Sequence, residues 1–164
     1  MKKFVNNVEN ILSESLSGFG KAHSDILKVN LSPDFVFRKN KPQNSKVALI
    51  SGGGSGHEPL HGGFVGTGML DAACPGQIFS APTPDQMEAA ANEVHNDKGI
   101  LFIVKNYSGD IMNFEMGSDM IDYEHDTIIV NDDVAVEDST YTTGRRGVAG
   151  TMIVEKTVGS LAET

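Results

Sequence analysis

Apolar residues recur at helical spacing near the start of the chain. Phe4, Val8, Ile11, Leu12 and Leu16 fall on one face, which predicts an amphipathic helix over residues 3–17, ending near Gly18. Later apolar runs are shorter and strand-like, at 46–50, 76–80, 99–105 and 127–131, the first of them preceded by a polar, proline-marked stretch at 40–45. Between the second and third runs, Thr83-Pro84-Asp85-Gln86 supplies a capping threonine, proline at the first helical position and glutamine at the third. Met87, Ala90, Ala91 and Val94 then line one face of that helix, and Asp97-Lys98-Gly99 closes it. Further helices are predicted over 111–120 and 148–161. Alternation of this kind predicts an α/β fold, a mostly parallel sheet with helices on both faces. No repeat or linker divides the 164 residues, so one domain is expected.

One segment does not fit a core. Ser51-Gly52-Gly53-Gly54-Ser55-Gly56-His57-Glu58-Pro59 packs four glycines against a histidine and a carboxylate. Glycine gives up packing and backbone entropy, so a run of it marks a sharp turn or a close approach to a ligand. The apolar run just before it predicts a loop leaving a strand end, where α/β sheets bind ligands and free backbone N–H groups can meet oxygen atoms. A plain solvent-exposed turn needs only one or two glycines.

A second segment, Lys105-Asn106-Tyr107-Ser108-Gly109-Asp110, leaves the 99–105 strand at the same expected edge. Lysine can donate to a substrate oxygen, and aspartate can accept a hydroxyl proton. With His57 they make an acid/base set. Each has a plainer alternative: Asp110 as a helix cap, Lys105 as a solvated strand end, His57 as a satisfied core histidine. His61 reads as a helix-surface residue outside this set.

Familiar glycine motifs do not match. A phosphate-binding P-loop needs Lys then Ser or Thr after its last glycine, but Gly56 is followed by His57-Glu58. The dinucleotide fingerprint and the hydrolase elbow both require glycine at His57. His57-Glu58-Pro59-Leu60-His61 has the letters of a zinc-hydrolase motif, but that motif works on a helix, and Pro59 with Gly62-Gly63 opposes one, so no metal site is assigned. Asn131-Asp132-Asp133 is either a cation site or a turn that opens a helix. Thr143-Gly144-Arg145-Arg146-Gly147 is either an anion grip or a surface loop.

Composition narrows the partners. Thirteen Lys and Arg against 22 Asp and Glu give a formal charge of −9, which argues against non-specific nucleic-acid binding. Cys74 is the single cysteine, so no intrachain disulfide forms, and a reducing cytoplasm fits. The start, Met1-Lys2-Lys3, has no apolar core after it and no run reaches membrane-spanning length, so no export and no membrane partner are expected.

Several ordered motifs carry a family resemblance: Ser51 to Pro59, Gly68-Met69-Leu70, Cys74-Pro75-Gly76, Pro82-Thr83-Pro84-Asp85, Lys105-Asn106-Tyr107 with Gly109-Asp110, Asn113-Phe114-Glu115, Asp132 to Val136, and Gly144-Arg145-Arg146-Gly147. The chain resembles the dihydroxyacetone-binding subunit of dihydroxyacetone kinase, from its first helix to its last residue. The resemblance implies that this part holds dihydroxyacetone while a separate nucleotide-binding kinase subunit brings ATP, itself left as ADP, so that no cofactor binds here directly. It also implies a homodimer. By position, Gly54, Ser55, Gly56, His57 and Lys105 would contact substrate, His57 would assist proton transfer, and Asp110 would be the base.

Family members continue into a region whose histidine forms a covalent hemiaminal with the substrate carbonyl. The 164 residues are therefore expected to represent the substrate-binding first domain, and covalent capture is assigned to none of them. The segment from Glu115 to Asp132 is a few residues shorter than in the family, and Asn131 stands where aspartate is common. A related class senses dihydroxyacetone as a transcriptional coactivator, with a DNA-binding regulator protein as partner and no kinase activity. A generic α/β interaction domain is the third alternative.

Overall fold

The run before the glycines becomes the middle of a six-stranded sheet. In this computed structural model, which describes residues 3–40, 45–137, 139, 140, 142 and 144–164, the strands are β1 (Leu27–Leu31), β2 (Asp34–Arg38), β3 (Ala48–Ser55), β4 (Ala72–Ile78), β5 (Ile100–Lys105) and β6 (His125–Val130). Their spatial order is β1-β2-β4-β3-β5-β6. β4, β3, β5 and β6 run parallel, and the β1–β2 hairpin adds two antiparallel pairings at one edge.

Helices cover both faces, as the alternation predicts. On one, Ala48, Ile50, Phe102 and Val104 pack against Met87 of α2 (Pro84–Val94) and Phe114 of α3 (Ser108–Ser118). On the other, Leu49, Ile103 and Val130 pack against Leu12 and Leu16 of α1 (Ile11–Ala22) and Val154 and Val158 of α4 (Gly150–Ala162). The α2 capping box forms as read, with Thr83 N–H donating to Gln86 Oε1 at 2.8 Å.

Several boundaries differ from the sequence reading. The first helix starts at Ile11 rather than residue 3: Phe4 and Val8 lie exposed, and α1 runs on past Gly18 and Gly20, the latter letting the helix close on Val29. β4 lies at Ala72–Ile78, not 76–80. Its first residues are small because both its faces are covered, and Phe79 turns out of the strand at φ 53°. The β1–β2 hairpin was not predicted. The stretch at 41–44, Met1, Lys2 and Thr143 lie outside the described residues.

The glycines correct a larger expectation. Gly52, Gly53 and Gly54 belong to β3 itself, and the turn begins only at Gly56. A methyl group on Gly52 would sit 2.6 Å from the Cys74 carbonyl oxygen, and one on Gly54 would sit 2.7 Å from the Ser80 nitrogen. The run allows close approach of backbone to backbone at the end of a central strand.

Topology then opens a crevice. The segment after β3 turns onto the α1/α4 face, where Val65 and Leu70 join the core, whereas α3 leaves β5 on the opposite face. Because β3 and β5 are parallel neighbours, paired at Ile50 and Phe102, their carboxyl ends part at a switch point of the kind that binds ligands.

Candidate functional site

The crevice holds a cleft of about 250 Å³, lined by Gly54 and His57 after β3, Phe79 to Ala81 after β4, and Lys105 with Tyr107 to Asp110 after β5. Thus Gly54, His57, Lys105 and Asp110 come together. Ser55 and Gly56 do not line it: the Ser55 hydroxyl donates to the Gly76 carbonyl at 2.6 Å, and the Gly56 N–H donates to the Glu58 carboxylate at 2.9 Å. A larger apolar cavity of about 390 Å³ lies under α1, with Glu58 and His61 as its ionisable lining. The smaller cleft gathers more of the chemistry.

Lys105 is held at its backbone. Its backbone is packed by Gly147, whose hydrogen side lies so near that a methyl group there would be 2.8 Å from Lys105 Cα and 2.4 Å from the Val130 carbonyl oxygen. Asn106 Nδ2 donates to the Arg145 carbonyl at 2.5 Å, tying the same loop to the strand end. The ammonium lies 5.3 Å from the Tyr107 ring centre, a cation–π distance. Burial pulls the Lys105 ammonium below its ordinary value, opposed by Asp110 and Glu155.

Asp110 is buried in the first turn of α3, but Tyr107 occupies the cap position. The plain helix-cap alternative therefore fails. Burial raises its carboxyl to about 6, with Lys105 pulling the other way. A carboxylate poised near neutrality beside a cation suits proton acceptance. His57, exposed rather than a core residue, rests its ring edge-on against Phe79 at 5.2 Å between centres.

His61 contradicts its reading as a helix-surface residue. Residues 56–61 form turns, followed by a single 3₁₀ turn at Gly62–Phe64, so no helix carries the pair of histidines. His61 instead points inward, its Nδ1 2.7 Å from Glu155 Oε1 and 3.1 Å from Ser51 Oγ. Among the described residues, no group of three or more His, Cys, Asp or Glu is placed to hold a metal ion, and no helix is long and apolar enough to cross a membrane.

The two remaining segments are structural. Asp132 accepts from the N–H groups of Val148 and Gly150 and so anchors the start of α4, and Asp133 pairs with the Arg146 guanidinium through both Nε and Nη2. Sequence reasoning missed Tyr107, Ser80 and the inward pair His61–Glu155. A signal for Glu155 exists in hindsight: Thr151, Glu155 and Gly159 recur every fourth residue and form the buried stripe of α4.

An α/β domain whose switch-point crevice gathers a strand-end lysine, a raised carboxyl and a glycine-lined backbone has the outline of a small-molecule site. The family model described as the Dak1 domain matches residues 17–164, and the chain belongs to that family, as the sequence motifs implied. It is 50% identical over 169 residues to the PEP-dependent dihydroxyacetone kinase, dihydroxyacetone-binding subunit DhaK, of Escherichia coli (strain K12), covering 99% of this chain and 46% of that protein. The crystal structure of the dihydroxyacetone kinase from C. freundii in complex with AMP-PNP and Mg2+ superposes with a TM-score of 0.89 at 38% identity, covering 99% of this chain and 31% of that one. The dihydroxyacetone kinase operon co-activator Dha-DhaQ gives a TM-score of 0.84 at 32% identity, covering 92% of this chain and 46% of that one. The chain spans about half the length of the curated relatives it matches.

Proposed function

We propose that these residues form the dihydroxyacetone-binding domain of a dihydroxyacetone kinase, which holds the three-carbon ketose while a separate nucleotide-bearing subunit presents the phosphoryl group of ATP. The observation that carries this reading is the Lys105–Asp110 pair in the switch-point cleft, in a chain of this family. Asp110 takes the proton of a substrate hydroxyl as that oxygen bonds to the terminal phosphorus and the bond to ADP breaks. Lys105 donates hydrogen bonds to a substrate oxygen, Gly54 lets the backbone come close, and His57 assists proton transfer as the substrate is captured. The protein works in the cytoplasm as a homodimer, and its nucleotide partner is recharged by ATP exchange or by a phosphohistidine relay.

The likeness to the operon co-activator keeps one rival in view, a sensor that binds dihydroxyacetone and a DNA-binding regulator without phosphoryl transfer. The deciding experiment mixes the complete gene product with an ATP-loaded nucleotide subunit and follows dihydroxyacetone phosphate, comparing the unaltered protein with Asp110→Asn. Turnover that is lost in the variant supports the kinase. Dihydroxyacetone binding without turnover in either protein moves the assignment to the sensor.

A further inference from the structure

Beneath the cleft lies a buried polar group that the proposed reaction does not use. Ser51 comes from β3, His61 from the segment after it, and Glu155 from the middle of α4. The Ser51 hydroxyl donates to the Ile103 carbonyl at 2.6 Å, so toward His61 it offers only lone pairs. Glu155 Oε1, 2.7 Å from Nδ1, is an acceptor as well. Nδ1 therefore carries a proton, and because burial lowers the proton affinity of His61 the ring is neutral and Nε2 carries the lone pair. That Nε2 is buried and has no hydrogen-bond partner among the described residues. Such an atom requires an explanation, since leaving a buried acceptor unpaired costs on the order of 1–3 kcal/mol.

Its position supplies one. A methyl group built on Gly53 would lie 3.4 Å from His61 Nε2 and 3.3 Å from Lys105 Nζ, so both nitrogens crowd the same point above the Gly53 α-carbon. Any larger residue at 53 would wedge them apart.

We infer that Glu155 and His61 are a positioning pair for Lys105: Glu155 fixes the imidazole proton on Nδ1, which leaves the Nε2 lone pair on the Lys105 side, and its buried negative charge attracts the ammonium over Gly53. The inference rests on the reading of Lys105 as the substrate-facing cation. The charged groups acting on Lys105 are Asp110 and Glu155; those acting on His61 are Glu155, Lys105 and His57. Asp110 is occupied with the substrate hydroxyl during reaction and becomes neutral when it takes the proton. Glu155, fully buried and away from solvent screening, is then the remaining counter-charge that keeps the lysine a donor.

The test uses the complete gene product and two readouts. Long-range proton–nitrogen NMR on histidine-labelled protein should place the His61 proton on Nδ1. The Lys105 titration, followed at its Cε carbon and assigned by its loss in Lys105→Arg, should fall by about one pH unit or more in Glu155→Gln and stay near the unaltered value in Glu155→Asp. If the kinase reading holds, the alkaline limb of kcat/KM moves by the same amount in Glu155→Gln. A proton found on Nε2, or a Lys105 midpoint unchanged in folded Glu155→Gln, overturns the pairing. If Glu155→Gln does not fold, the tautomer in the unaltered protein, which needs no variant, decides alone. Absence of turnover in the unaltered protein counts against the kinase reading, while the NMR shift still decides this one.

Discussion

Asp110 and Lys105 share one cleft, and burial drives both toward neutrality: the Asp110 carboxyl is raised to about 6 and the Lys105 ammonium is lowered. Each partly restores the other's charge, yet burial dominates for both. A pair in this state exchanges a proton with a substrate hydroxyl more readily than a fully ionised salt bridge does.

The first consequence is a pH dependence with a defined sign. On the proposed kinase reading Asp110 must be ionised to accept a proton, so kcat/KM of the complete gene product should fall as pH drops through about 6. Asp110→Asn should lower turnover by about 10²–10⁴-fold with dihydroxyacetone binding retained, as measured by steady-state kinetics and calorimetry.

Stability should move the other way. The folded value of about 6 lies above the ordinary 3.8, so the unfolded chain gives up this proton more readily, and the ionised carboxylate opposes folding above that range. Asp110→Asn should therefore stabilise the protein at pH 7, by on the order of 1–3 kcal/mol in denaturant unfolding. The gain should shrink as pH falls through about 6 and vanish below the unfolded value of 3.8. A loss of stability at pH 7 would show instead that the carboxylate supports the helix.

Neighbouring glycines should respond differently to alanine. At Gly54 the new methyl meets backbone, 2.7 Å from Ser80 N, which should cost about 1–3 kcal/mol of stability. At Gly53 it meets the movable end of Lys105 at 3.3 Å, so unfolding should change little while ligand affinity drops. Parallel unfolding curves and binding isotherms separate the two.

The two histidines of the glycine segment should also part company. His57 is exposed, and His57→Asn should leave stability within about 0.5 kcal/mol while slowing turnover. His61→Ala, which strands buried Glu155, should destabilise by roughly 3–5 kcal/mol. Equal effects on unfolding would refute the contrast.

Away from the cleft, Asp71 joins Arg38 and Lys46 at 3.0 and 2.6 Å, all three buried, and also accepts from the Leu49 N–H at 2.8 Å. Asp71→Ala leaves Arg38 and Lys46 with the Glu163 carboxylate as their shared counter-charge and should cost about 3 kcal/mol, with ligand affinity of the folded fraction unchanged. A loss of affinity without a loss of stability would contradict a purely structural role.

Sequence alone determined the alternation of strands and helices, the α2 capping box, and the placing of Gly54, His57, Lys105 and Asp110 at one sheet edge. These follow from local rules: short apolar runs, a Thr-Pro-x-Gln start, and the fact that parallel neighbours present the same ends. The hairpin at 27–38 escaped because its two five-residue strands mix polar and apolar positions at the sheet edge. β4 was placed four residues late because the sheet interior demanded small residues at its start, which give no apolar run.

Only the tertiary structure decided what His61 does. Its partner Glu155 lies 94 residues away, and the four-residue recurrence that marks Glu155 as buried does not say which residue it meets. It likewise turned the glycine run from a loop into a strand, because the need for glycine arises from Cys74, Ser80 and Lys105 brought close by folding. The raised carboxyl of Asp110 belongs to the same class. Local sequence sets which chemical groups stand at a strand end; burial, which shifts their proton affinities, exists only once the distant elements have packed around them.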